Sequence, residues 1–140
     1  MADLTGVSPI LVSKITKVLN AMAALGFPMK VTQGLRTVAT QQALYAQGRT
    51  TPGPNVRPGK PLGSIVTNAD GVIKRSRHQA SAEDGLGRAV DCACAGPEPF
   101  GEYHPWKAYG ACVEAAGLTW GGNANFIKAG INDRPHAELR

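Results

Sequence analysis

The sequence predicts an α+β fold: helices packed on a small, mostly antiparallel sheet. Three observations carry this. Long apolar periods of helical spacing recur with capping residues at their ends. Between them lie short strand-like runs bounded by Gly, Pro and Asn. There is no internal repeat and no linker, so the 140 residues form one domain, residues 1–140.

Ser8 and Pro9 open the first helix, since Ser is a good N-cap and Pro a good first helical residue. Ile10, Leu11, Ile15, Val18, Leu19, Met22 and Leu25 follow with helical spacing, and Gly26 stands where a left-handed residue ends such a helix. Met29 to Gln33 is a short strand. Gly34 to Thr37 is a turn, with Thr37 capping a second helix that runs to about Gln47. From Arg49 to Arg75 prolines and glycines alternate, and only Ile65 to Asn68 suits a short strand; a loop this long in a small domain is usually functional. Arg88 to Cys94 is expected to be a half-buried strand. Pro105 to Ala116 is a third helix closed by Gly117. Leu118 to Trp120 is a strand, Gly121-Gly122 a turn, Asn123 to Lys128 a short helix, and His136 to Leu139 a last strand.

Hydrophobic residues make up 43% of the chain, enough for a real core, yet no apolar run approaches the roughly 20 residues of a membrane span. No stable membrane insertion is expected. Met1 to Thr5 shows neither a basic segment nor an apolar one, so no signal peptide is read there. The net charge of +5 favours anionic partners. The basic residues are scattered and do not interleave with aromatics, which argues against nucleic acid. Cys92, Cys94 and Cys112 lack the number and spacing of a disulfide framework or a Cys-rich zinc site. Cys92 and Cys94 share one strand face, opposite Asp91, and are read as buried small hydrophobes.

His78, Asp91 and His136 stand in short phrases that make sense around a metal: Ser76-Arg77-His78, Gly87-Arg88-Ala89-Val90-Asp91 and Asp133-Arg134-Pro135-His136. Two imidazoles and a carboxylate can hold Zn²⁺ and leave its fourth position open, the mark of a catalytic rather than a structural zinc. That points to hydrolysis, which also needs a carboxylate to take a proton from water and pass it to the leaving amine. Asp133, three residues before His136 with Pro135 between, is the favoured base. Glu138 competes, because on a strand it shares a face with His136 and could approach the metal or hydrogen-bond a group behind it. Arg36, in the turn after the first strand, could meet an oxyanion or simply be solvated. Ser76 could hold a ligand or substrate backbone, or cap its loop. His104, beside Pro105, has no metal-like neighbours and is read as a surface or helix-start residue.

Taken together, Ser-x-His, Gly-x-Ala-x-Asp and Asp-x-Pro-His resemble the zinc peptidases of bacterial cell walls. These are the D-Ala-D-Ala carboxypeptidase and L-alanyl-D-glutamate endopeptidase group, which has a hedgehog-like fold. Gly34 to Thr37, Gln41, Leu44-Tyr45, Gly48 to Thr50, Ile65 to Ala69 and Gly117 to Gly122 extend the likeness over roughly residues 10–140. The nearest resemblance is to small phage endolysins of the L-alanyl-D-glutamate type. The resemblance implies zinc on His78, Asp91 and His136, Asp133 as general base, Arg36 against the carbonyl or oxyanion, and Ser76 near the substrate. The expected substrate is the peptidoglycan stem peptide, cut at the L-Ala–D-Glu bond by a monomeric lysis enzyme. The chain would have no separate wall-binding domain and would wait in the host cytoplasm until released. A D-Ala-D-Ala carboxypeptidase on the same scaffold is the alternative; a non-catalytic zinc-dependent binding domain is another. Two insertions depart from the pattern and are expected to flank the site. About six extra residues separate His78 from Asp91, in Ala80 to Leu86, where Glu83 and Asp84 are either stray ligands or solvated charges. Asn55 to Ser64 is the second.

Overall fold

The computed structural model describes residues 4–129 and 132–140. Four helices and a four-stranded antiparallel sheet follow in the order α1 (Pro9–Ala24), β1 (Met29–Gln33), α2 (Val38–Ala46), β2 (Ala89–Cys94), α3 (Trp106–Ala115), β3 (Thr119–Trp120), α4 (Ala124–Lys128) and β4 (His136–Glu138). The sheet order is β1-β2-β4-β3. The expected α+β class is therefore observed, with the last strand inside the sheet.

One face of the sheet carries the core. Val31, Val90, Cys92 and Ala137 from the strands meet Leu11, Ile15, Val18 and Met22 of α1 and Trp106, Tyr109 and Val113 of α3. The apolar stripe of α1 is narrower than its sequence suggests: Ile10 and Leu25 face solvent. Gly26, at φ +88°, lets the chain leave α1 in a left-handed conformation that a side chain would strain. Thr37 caps α2 as expected, its hydroxyl accepting from the Thr40 N–H at 3.1 Å.

Two expectations fail. β2 is buried along five of its six residues rather than half-buried; it lies between β1 and β4, inside the sheet. Ile65 to Asn68 is not a strand. Its carbonyls are taken by side chains instead of a neighbouring strand: the Arg49 guanidinium donates to Thr67 O at 2.9 Å, and the Gln41 amide donates to Ala69 O just beyond at 2.8 Å. Such bonds satisfy an irregular backbone without a ladder.

A bulge in β1 decides what faces the second side of the sheet. Met29 pairs with Cys94 and Val31 with Cys92, but Gln33, not Thr32, stands opposite Asp91. The extra residue turns Gln33 from the core side to the side of Asp91; bulges commonly re-aim a side chain in this way. In the next ladder Asp91 pairs directly with His136, and Ala89 with Glu138. Directly opposed residues share a face, so Gln33, Asp91, His136 and Glu138 all project away from the helical core.

Candidate metal centre

The second face of the sheet forms the floor of a cleft of about 780 Å³, a volume suited to a small ligand or a short peptide. Gln33, Arg36, His78, Asp91, Asp133 and His136 line it around the centre. α2 and the long loop after it build the opposite wall, with Leu44, Ile65 and Val66.

His78, Asp91 and His136 converge as expected. Each offers one ligand atom, and these atoms lie within 4.8 Å of one another. His78 Nε2 is 3.3 Å and His136 Nδ1 3.5 Å from Asp91 Oδ1. The rings stand edge to face, 5.2 Å apart. Asp91 Oδ1 is buried without a hydrogen-bond partner. An orphaned buried carboxylate oxygen is costly, and one facing two imidazole nitrogens fits a cation-binding position. Donor type agrees: two imidazoles and a carboxylate suit zinc with a position to spare.

The far nitrogen of each ring is fixed as well. His78 Nδ1 lies 3.0 Å from Gly34 O, so it carries the proton and turns Nε2 to the centre. His136 Nε2 lies 2.9 Å from Glu138 Oε1 and donates to it, turning Nδ1 inward. Glu138 thus stands behind the His136 ring, on the side away from Asp91. It is buried, and its other oxygen accepts from Arg77 Nε at 2.8 Å and Arg140 Nε at 2.7 Å. Removing the charge in Glu138→Gln should weaken metal binding by about 10- to 100-fold, the usual loss for such a partner. Competition with a chromogenic chelator reads this directly.

Charge explains the titration of the group. Burial works to raise the Asp91 carboxyl, but the two facing imidazoles outweigh it and hold Asp91 below the ordinary carboxylate range. Burial likewise works to lower His136, but Asp91 and Glu138 raise it to about 9. The metal-free protein at pH 7 therefore carries a proton on His136 that a metal must displace. Metal titration at pH 7 should release this proton, and affinity should climb from pH 6.5 until His136 is neutral near 9. Calorimetry in buffers of different ionisation enthalpy measures it; uptake without proton release would contradict the geometry.

Asp133 reaches the mouth of the cleft with half of its side chain in solvent, and its Oδ2 lies 3.8 Å from His136 Nδ1. Loss of water on its inner side, together with the charge of Asp91, pushes its carboxyl above the ordinary range. The turn that carries it is held from three directions. Trp120 Nε1 donates to Arg134 O at 2.7 Å, the Tyr109 hydroxyl donates to Pro135 O at 2.9 Å, and the Asp133 N–H donates to Gly121 O at 3.0 Å. Gly121 is required: a Cβ there would stand 2.2 Å from Asp133 O.

Arg36 lies beside the centre with its side chain largely shielded, not solvated. It donates to Gln41 Oε1 and to Gln33 Oε1, both at 2.7 Å, and lies 3.8 Å from Asp91 Oδ2. Its Nε has no partner. Ser76 lines the cleft, and its hydroxyl accepts from the His78 N–H at 3.2 Å, so it caps its own loop at the cleft wall. His104 is outside the centre, its Nε2 2.7 Å from Glu98 O. Neither insertion contributes a residue between its ends to the cleft. Glu83 and Asp84 pair with Arg88 and do not line the cleft. Cys92 and Cys94 are free and buried. The sequence did not reveal Gln33 or Tyr109 as supports of the site; Gln41 and the Gly117 to Gly122 segment that carries Trp120 were visible there as motifs, without their roles.

The fold is one shared by a class of zinc peptidases, and three solved structures carry it. VanY, the vancomycin-resistance D,D-pentapeptidase of the VanB-type cassette, solved with Zn(II), matches with a TM-score of 0.61 at 18% identity over 95% of this chain and 72% of its own. VanYB in complex with D-alanine-D-alanine matches at 0.62 and 20% identity, over 95% and 71%. The L-Ala D-Glu endopeptidase ChiX of Serratia marcescens matches at 0.53 and 26% identity, over 98% and 83%. No protein-family model matches the chain.

Proposed function

We propose that this chain is a zinc peptidase that hydrolyses peptidoglycan stem peptides at the L-Ala–D-Glu bond and serves as a cell-lysis enzyme. The observation that carries the reading is the His78–Asp91–His136 group, its Asp91 oxygen unsatisfied and Asp133 standing over it at the open mouth. By name ChiX is an L-Ala D-Glu endopeptidase and VanY a vancomycin-resistance D,D-pentapeptidase, and both names support a peptide substrate that contains D-residues.

Zinc on these three residues supplies Lewis acidity, which makes water nucleophilic near neutral pH and polarises a carbonyl. The residues do the rest. Asp133 is placed to accept a proton from the attacking water and return it to the departing amine, and its upward-shifted carboxyl suits both roles. Arg36, oriented by two glutamines and lining the cleft, is the cation that stabilises negative charge on the carbonyl oxygen in this reading. Ser76 holds the His78 backbone and reaches the substrate path on the cleft wall.

The rival reading, a D-Ala-D-Ala carboxypeptidase, is favoured by the higher TM-scores of the VanY structures, whereas the identity to ChiX favours the endopeptidase. Cell walls digested by the zinc-loaded protein and read by mass spectrometry separate them. New N-terminal D-Glu is expected; release of free D-Ala instead would establish the rival. A non-catalytic zinc-binding domain would release neither.

A further inference from the structure

One wall of the cleft is basic beyond the needs of the centre. Lys74, Arg75, Arg77 and Arg140 all line it. Arg77 and Arg140 are spent on Glu138. Lys74 and Arg75 are exposed, and neither has an ion pair within 4 Å among the described residues. Arg75 gives one donor to Ala80 O at 3.1 Å and keeps the others. Asp70 senses the Lys74 charge, but its Oδ1 is occupied by the N–H groups of Val72, Ile73 and Lys74 at 2.8, 2.9 and 3.0 Å.

The segment bearing these cations is fixed. Gly71 N–H donates to Lys74 O at 3.1 Å and closes the turn. The buried Gln79 side chain donates to Gly71 O at 2.9 Å and accepts from the Ser76 N–H at 2.8 Å. Two unpaired cations on a braced turn, in the cleft that holds the centre, form a ready anion site. A stem peptide brings anions of one kind, carboxylates. The one at the scissile residue lies within reach of the centre itself; the next along the chain belongs to the third residue when that residue is diaminopimelate, while a third-position lysine brings a cation.

We propose that Lys74 and Arg75 form a subsite for the free carboxylate of a third-position diaminopimelate, and that it selects such stems over amidated or lysine-containing ones. The inference rests on the reading of the chain as a peptidoglycan peptidase. It is tested with three synthetic pentapeptides, L-Ala-γ-D-Glu-X-D-Ala-D-Ala, in which X is diaminopimelate, its amide or lysine. Each contains both candidate scissile bonds, so either specificity reports on X.

The zinc-loaded wild type should cleave the diaminopimelate peptide with a kcat/KM about tenfold above that of the amide, the worth of one charge-assisted contact, and further above that of the lysine peptide. In Lys74→Gln/Arg75→Gln the three values should converge. Lys74→Arg/Arg75→Lys should keep the preference, as should Lys17→Gln, which removes a charge outside the cleft. No preference in the wild type, or one that survives the Gln pair, overturns the subsite. If no peptide is cleaved, the peptidase reading fails instead, and calorimetric binding of the same peptides then decides the subsite: tighter binding of the diaminopimelate form, lost in the Gln pair, supports it, and equal or absent binding overturns it.

Discussion

Asp133→Ala lowers stem-peptide hydrolysis by a factor of about 10² to 10⁴, the usual contribution of a general base, while the protein keeps its metal. The two halves of this expectation come from one geometry. Asp133 Oδ2 is 3.8 Å from His136 Nδ1 and half exposed, close enough to serve a water at the centre but not placed as a ligand. Truncation leaves the turn intact, because Trp120, Tyr109 and Gly121 hold its backbone rather than its carboxylate. Turnover of a defined stem peptide and metal analysis of the same preparation check it. A variant of full activity removes Asp133 from the chemistry; one that loses its metal makes Asp133 a ligand.

His78→Ala has the second large effect, and a different signature. His78 is buried, donates from Nδ1 to Gly34 O and sets Nε2 against Asp91. Without it two donors remain, too few for tight zinc binding. Metal content should fall well below one per chain and activity should drop to the level of chelator-treated wild type. Far-UV circular dichroism should change little, because the β2–β4 ladder does not involve residue 78. Retention of zinc and turnover would mean that the long interval to Asp91 had misled the assignment of this ligand.

Much of this was legible because local rules produce it. Ser8-Pro9 and Gly26 bracket α1, Thr37 and Asn123 cap their helices, and Gly117 closes α3. Asp91 and His136 could be placed on strands from alternation alone. What stayed hidden depends on contacts between residues far apart in sequence. The β1 bulge that swings Gln33 toward Asp91 has no signature in Met29 to Gln33. Gln41 reaches 28 residues along the chain to Ala69, so the segment expected as a strand is held by side chains with no period to detect. Glu138 was recognised as sharing a face with His136. Only the distances, 2.9 Å to His136 Nε2 and 2.7–2.8 Å to two arginines, choose between its roles.

The extra residues after His78 have a practical meaning. Ser81 N–H donates to Leu86 O at 2.9 Å and closes the excursion on itself. Its base is stitched by Arg88 N–H to Arg77 O at 2.8 Å and by Gly87 N–H to Gly6 O at 2.8 Å. Chain that departs and returns at a fixed, hydrogen-bonded gate can lengthen at only a logarithmic entropic cost. The interval is longer than in the pattern the sequence resembles, and His78 Nε2 still lies 3.3 Å from Asp91 Oδ1. This is therefore the place on the molecule where an engineer could graft a targeting peptide, or a reporter, and leave the metal ligands in register.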